Sequence, residues 1–177
     1  HALERVLYRN FEALGVPRYS PEELAFADSL AGTYSGSDRA PGVGSQYDLD
    51  YAADAQARRA QAGHAMNRFL LPLYQGDAFQ PGSTDVGDVS WQCPTAQIHV
   101  AAWPNGCPGH SWQNVSCGRT DIGHKAALHA GKVLAAAAID LLTDPALLEE
   151  AKTEFQRRTA AGYTCPIPAD AVPTIAD

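Results

Sequence analysis

The sequence predicts an α/β fold in which helices predominate. Helical periodicities occupy both ends of the 177-residue chain, and a β-like run, residues 96–103, lies between them. Roughly one or two segments read as strands, against four or five that read as helices. Because a sheet needs more strands than this to be independently stable, we expect the chain to be part of a larger α/β layer.

The first third of the chain carries two helix patterns. Apolar side chains recur at helical spacing over residues 2–14 and stop at Gly15, which predicts an amphipathic helix. Ser20 and the proline and glutamates after it form a capping box, so a second helix is expected to begin at Pro21 and end near Gly32. Residues 33–48 are rich in Gly, Ser, Pro and Asp and predict a loop.

The middle of the chain mixes helical and extended patterns. Residues 49–61 predict a weakly amphipathic helix, and the proline inside residues 69–74 predicts an extended segment. A short helix is expected over about residues 84–91, capped by Ser83 or Thr84. The apolar run over residues 95–103 then reads as a buried strand.

The last third predicts two consecutive helices. Asp121 opens an alanine- and leucine-rich helix expected over about residues 122–142. Asp144 and Pro145 interrupt that pattern, and a further helix should run to about residue 160. Residues 162–177 are rich in proline and are expected to wrap the surface.

Charge and hydropathy argue against nucleic acid and membrane partners. The net charge is −7, and the 13 lysines and arginines do not form a block, whereas phosphate backbones are bound by clustered cations. The longest apolar run, residues 133–139, is shorter than the ~20 residues that span a bilayer. No secretory signal pattern is visible at the start of the sequence. A soluble, cytoplasmic protein is therefore expected.

The 4 cysteines contain no C-x-x-C pair. Closely spaced pairs are typical of zinc knuckles, and dense cysteine is typical of secreted mini-proteins, so reduced thiols in a cytoplasmic protein are expected. A disulfide among Cys93, Cys107 and Cys117 and metal ligation by any of them are the alternatives.

The first motif is Gly-Ser-Thr-Asp-Val-Gly-Asp-Val-Ser-Trp, residues 82–91. Its small and hydroxyl residues stand at a predicted helix start, where free N–H groups attract an anion such as a substrate carboxylate. Equally, Ser83 or Thr84 could act as a cap alone. Asp85 and Asp88 share one helical face and could bind a cation or orient a histidine, or form a solvated first turn.

The second motif is Gly-Cys-Pro-Gly-His-Ser-Trp-Gln, residues 106–113. His110 is the best candidate for a metal ligand or proton carrier, with a hydrogen-bonded structural histidine as the alternative. The segment also matches most of a G-x-S-x-G nucleophile elbow around Ser111, but Gln113 replaces the second glycine.

The other histidines have less context. His124 and His129 lie five apart on a predicted helix and cannot easily share one ion. His99, within the predicted strand, is expected to be a hydrogen-bonded sheet residue, and His64 stands in no recognisable pattern.

Taken together, the motifs resemble a known family. The 82–91 motif, Pro-Thr-Ala-Gln at 94–97 and Gly-His-Ser-Trp-Gln at 109–113 are similar to the C-terminal half of the metal-dependent amidohydrolases. That family includes glutamate carboxypeptidases, aminoacylases and indole-acetyl-amino-acid hydrolases. The resemblance continues through the alanine-rich helix to Tyr163 and so covers nearly the whole chain.

The resemblance implies a three-layer, zinc-peptidase-like α/β catalytic domain, with residues 1–177 as its C-terminal part. It further implies two divalent metal ions, zinc or manganese, with His110 as the last metal ligand. The substrate would be an N-acyl amino acid such as an aroyl-glutamate, bordered by Gly82, Ser83, Thr84 and Asp85. Asp88 and Ser111 would support these groups without contacting the substrate themselves.

This chain departs from the family pattern in a way that affects catalysis. The remaining metal-ligand motifs and the glutamate general base belong to an N-terminal half that precedes an inserted lid domain. No catalytic residue is therefore expected here, and the partner should be that half or a second polypeptide, with dimerisation through the lid. The alternative is a non-catalytic binding or scaffold subunit that keeps the family's shape.

Overall fold

The structure is a computed structural model that describes residues 1–38, 49–73, 84–165 and 167–172. Helices are the regular secondary structure of these residues. Their bounds are α1 Ala2–Leu14, α2 Pro21–Ala31, α3 Leu49–Ala62, α4 Val86–Ser90, α5 Trp112–Gly118, α6 Asp121–Thr143 and α7 Pro145–Arg158.

The expectation of a three-layer α/β fold is wrong for this structure. The residues it describes contain helices and no strand. Burial over residues 94–100 does alternate, as in a strand, with Ala96, Ile98 and Val100 half-buried and the residues between them exposed. A strand also needs a neighbour that supplies ladder hydrogen bonds, and the described residues supply none to this segment, so the alternation produces no sheet.

The predicted helices of the first third are confirmed. The capping box closes as expected, because Ser20 Oγ accepts from the Glu23 N–H at 3.3 Å and Glu23 Oε2 accepts from the Ser20 N–H at 2.6 Å. Helix α1 ends at Gly15, whose φ of 73° lies in the left-handed region that favours glycine.

The predictions around the two motifs need correction. Helix α4 begins at Val86 with Asp85 in the N-cap position, where the Asp85 side chain makes no capping hydrogen bond. Thr84 Oγ1 instead accepts from the Val86 N–H at 3.3 Å, and Ser83 lies outside the described residues. Helix α5 was not predicted, because its 7 residues are too few to display a periodicity.

Two clusters of buried side chains form the core, and α6 contributes to both. Near its start, Ile122 packs with side chains of α2, Met66 and Cys117. Farther along, Val133 and Ala137 pack with the apolar face of α1 and with the alternating side chains near residues 96–100. At about 1.5 Å per residue, the 23 residues of α6 span about 35 Å. This helix therefore packs against residues that follow each of the two motifs.

Helix α6 also exposes a large part of its apolar surface. Its most apolar window has a mean hydropathy of 1.4 and is 17% buried, so in length and composition this helix could cross a membrane. Core helices of soluble proteins and signal sequences pass the same test of length and composition, so one such helix is weak evidence for a membrane span. The exposed side chains are Leu128, Leu134, Ile139 and Leu142.

Candidate functional site

The first motif lies partly within the described residues. Gly82 and Ser83, two of the predicted substrate contacts, lie outside them. Thr84, Asp85 and Asp88 are all exposed at the start of α4. Their exposure leaves Thr84 and Asp85 accessible to a ligand.

Asp88 is held by the segment that follows α7. The Tyr163 hydroxyl donates a hydrogen bond to Asp88 Oδ1, and the Tyr163 ring stacks on Trp91 with a centroid distance of 5.4 Å and an interplanar angle of 28°. This hydrogen bond raises the pKa of Tyr163, since ionisation would place a phenolate beside a carboxylate. Helix α4 and the residue directly after it are therefore attached to one tyrosine.

A cavity of about 430 Å³ lies beside the end of α4. Trp91 and Phe155 contribute aromatic surface to its lining, and Ser90, Thr95 and Thr159 contribute hydroxyl groups. Charged side chains, namely Glu4, Glu154 and Arg158, also line it, whereas Thr84, Asp85 and His110 do not. The cavity is lined by α1, α4, the segment after α4, and α7.

His110 is exposed on the loop before α5 and has an unusual backbone conformation. Its φ of 55° makes it the non-glycine residue with positive φ in the described chain. None of the residues that the structure describes hydrogen-bonds to its ring. Residues held in such conformations cluster at functional sites, so the outlier supports a role for this imidazole beyond packing.

Ser111 acts as the N-cap of α5. Its hydroxyl donates to the Pro108 carbonyl at 2.7 Å and accepts from the Asn114 N–H at 3.2 Å. The hydroxyl proton of Ser111 is thus engaged, which disfavours the interpretation of this residue as a nucleophile. Capping instead fixes the backbone directly after His110.

The loop that presents His110 is anchored at Asn105, a buried residue. Its N–H donates to the Ala65 carbonyl at 2.8 Å, and its side-chain amide donates to the Ser37 carbonyl at 3.0 Å. The Asn105 carbonyl accepts from the Tyr34 hydroxyl at 2.9 Å, and its Oδ1 lies 3.4 Å from Asn67 Nδ2. A buried amide with this many partners ties the start of the loop to two separate parts of the chain, residues 34–37 and 65–67.

Gly106 allows the backbone to turn directly after Asn105. Its φ is 70°, and a Cβ added there would lie 2.3 Å from the Gly36 carbonyl oxygen. Glycine is therefore required both by the backbone conformation and by the close approach of a second loop.

The described residues do not by themselves form a metal centre. No three or more histidine, cysteine, aspartate or glutamate side chains converge within them. His110 alone supplies a candidate donor, whereas zinc sites use three or four protein ligands. A complete metal site would therefore need further donors from outside the described residues.

The other histidines have mainly structural surroundings. His129 is buried, with Nε2 2.8 Å from the Gly15 carbonyl. His64 Nδ1 lies 2.7 Å from Asp28 Oδ2. His124 is exposed near Asp121, and His99 is exposed, which differs from the expectation of a sheet residue.

All 4 cysteines are free in the structure, as in the expectation of reduced thiols. Burial raises the pKa of Cys117 to about 11, so this thiol is unreactive at neutral pH.

Two functionally placed residues were not anticipated from the sequence. Asn105 precedes Gly106, and an Asn-Gly pair is a recognised turn signal that could have indicated an anchored loop. Tyr163 carries no local signal, because its partners lie 72 and 75 positions earlier in the chain.

Comparison with known proteins identifies one relative. The chain is 36% identical, over 179 aligned residues, to the B subunit of p-aminobenzoyl-glutamate hydrolase from Escherichia coli (strain K12). No family model matches the chain, and no solved structure matches it. The alignment covers 97% of the chain and 36% of the relative, so the chain spans about a third of the relative's length. The resemblance drawn from the motifs is thus confirmed: nearly the whole chain is similar to part of the B subunit of p-aminobenzoyl-glutamate hydrolase.

Proposed function

We propose that the chain forms part of a metal-dependent hydrolase that cleaves the amide bond of N-acyl amino acids such as p-aminobenzoyl-glutamate. The similarity to a protein named as the B subunit of such a hydrolase supports the reaction and suggests a companion polypeptide. A bound divalent metal would polarise the scissile carbonyl and activate a water molecule. This chain's part is to present one metal donor and one wall of the substrate pocket.

The observation that carries the proposal is the backbone of His110. Its left-handed φ places an exposed imidazole on a loop that is fixed on both sides, by Asn105 before it and by the Ser111 cap after it. A rigid loop limits the reorganisation needed when a donor binds a metal. The other ligands and the general base would come from outside the described residues.

Thr84 and Asp85 are the described substrate-contact candidates. Both are exposed before α4, and the Thr84 hydroxyl already accepts from the Val86 N–H. The hydroxyl can still donate to a substrate carboxylate. Asp85, an acceptor when ionised, can receive a hydrogen bond from an amide N–H.

The test is an assay of p-aminobenzoyl-glutamate hydrolysis with Mn²⁺ or Zn²⁺, with and without the companion polypeptide. His110→Ala is expected to lower turnover on the order of a hundredfold or more and to reduce the metal retained after dialysis. His124→Ala removes another exposed imidazole and should change neither. Unchanged turnover and metal content in the His110 variant would exclude this residue as a ligand.

A second candidate is a binding or scaffold subunit without hydrolytic activity. It is favoured by the lack of converging metal donors in the described part of the chain. Calorimetry with p-aminobenzoyl-glutamate in the presence of a chelator separates the two. Tight binding without metal, combined with no turnover in any mixture, would support the scaffold.

A further inference from the structure

We propose that Tyr163 is a positioning residue that straps the segment after α7 across α4 and holds the 84–91 segment at the substrate pocket. This inference rests on the proposed function for its catalytic consequence. The claim that Tyr163 holds α4 in place does not depend on that function, because it is based on the contacts of Tyr163 with Asp88 and Trp91.

The contacts of Tyr163 differ in kind and act at different points of the 84–91 segment. A hydrogen bond joins its hydroxyl to Asp88, within α4, and a stacked ring contact joins it to Trp91, directly after the helix. The hydrogen bond sets direction, and stacking sets the distance between the two rings. Together they fix the orientation of the short helix and its distance from Tyr163.

Helix α4 needs such an external restraint. Its 5 residues are far fewer than an isolated helix requires for stability in water. All of its residues are exposed, so burial contributes little to its position. The Asp85 side chain makes no capping hydrogen bond, which leaves Tyr163 as the main side-chain attachment among the described residues.

The strap also sets one wall of the 430 Å³ cavity. Trp91 lines this cavity together with Thr95 and Phe155, while its ring is stacked on Tyr163. Loss of the stacking partner would free the indole to turn into or away from the cavity. Positioning of Thr84 and Asp85, at the other end of α4, would be lost with it.

The first measurement tests the contact between Tyr163 and Trp91 by ¹⁹F NMR and needs no assay of activity. In protein labelled with fluorotryptophan, the ¹⁹F resonance of Trp91 is assigned with Trp91→Phe. Tyr163→Ala should move this resonance toward its value in unfolded protein. Tyr163→Phe, which keeps the ring, should move it less. Ile167→Ala, an exposed neighbour in the same tail, is the control and should leave it in place.

The second measurement determines KM and kcat for p-aminobenzoyl-glutamate in the active preparation. Tyr163→Phe removes one hydrogen bond to a charged acceptor at an exposed site, so KM should rise roughly threefold to tenfold with kcat little changed. Asp88→Asn replaces the charged acceptor of this hydrogen bond by a neutral one, so KM should rise in the same direction and by a smaller factor.

The two measurements separate the possible failures. A Trp91 resonance that stays in place in Tyr163→Ala overturns the strap. A moved resonance with an unchanged KM overturns the positioning role. If the parent hydrolyses nothing, the proposed function fails, and the fluorine spectrum still decides the strap.

Discussion

The imidazole of His129, on α6, contacts the residue that ends α1. Its Nε2 lies 2.8 Å from the Gly15 carbonyl, and its ring lies 5.3 Å from the ring of Phe11. The pair joins the longest helix to the first one at the point where the chain turns away from α1. A residue that resembled a candidate ligand in the sequence is thus part of the packing between two helices.

His129→Ala should destabilise the protein by about 2–3 kcal/mol, because it leaves a small cavity and removes the hydrogen-bond partner of the Gly15 carbonyl. Urea unfolding followed by circular dichroism measures this loss. His124→Ala changes an exposed histidine on the same helix and should stay within about 0.5 kcal/mol of the parent. Equal losses in the two variants would contradict the assignment.

Gly106→Ala should cost about 3 kcal/mol or more, because a positive φ is combined with a Cβ position that overlaps the Gly36 carbonyl. Gly63→Ala is the matched control, since Gly63 has the same φ of 70° and nothing within 4 Å of its Cβ position. The control should cost about 1–2 kcal/mol. The difference between the two unfolding free energies measures the close contact between the loops alone.

Glu23 should give the stability a defined pH dependence. The hydrogen bond from Lys125 Nζ, which lies 2.7 Å from both carboxylate oxygens, lowers the pKa of Glu23 below 4.5, against the effect of burial. A lowered folded-state pKa means that the stabilisation is present above pH 4.5 and is lost as the pH falls through the folded value.

The measurement compares the unfolding free energies of the parent and Glu23→Gln across this acid range. The variant should be less stable at neutral pH, and the two should converge on acidification. Glu149→Gln, at an exposed position on α7, should follow the parent throughout. If the difference in unfolding free energy between the parent and Glu23→Gln stays constant with pH, the ionised carboxylate does not stabilise the folded protein.

Tyr19 predicts a second pH dependence, in the alkaline range. Burial, with smaller effects from Cys117 and Glu23, raises the pKa of Tyr19 from 10.0 to about 12, and its hydroxyl donates to the Ala101 carbonyl at 2.8 Å. Because the folded value is raised, the stabilisation is complete below pH 10 and is lost as the pH rises toward 12.

Tyr19→Phe should cost about 1 kcal/mol at neutral pH and lose less stability than the parent on alkalinisation. Phenolate absorbance, compared between the parent and the variant, isolates the titration of this tyrosine. An ordinary midpoint near 10 in the difference titration would disprove the burial of its hydroxyl.

Much of the helical structure followed from local patterns. The spacing of apolar residues before Gly15 and the capping box at Ser20 involve groups within one or two turns, so neighbouring residues decide them. The resemblance to a hydrolase also came from contiguous motifs, since the residues around His110 and Asp88 are recognisable in sequence. Short helices such as α4 and α5 were misplaced or missed, because so few residues display no period.

The tertiary structure decided what depends on distant partners. The apolar run over residues 95–103 predicted a strand, but strand formation requires ladder hydrogen bonds from another segment, and the described chain provides none. The contact between Tyr163 and Asp88 likewise depends on groups brought together from far along the chain. The sequence alone thus determined the longer helices and the resemblance to the hydrolase, because both are encoded in neighbouring residues. Only the folded chain determined which side chains are free to bind and which are held.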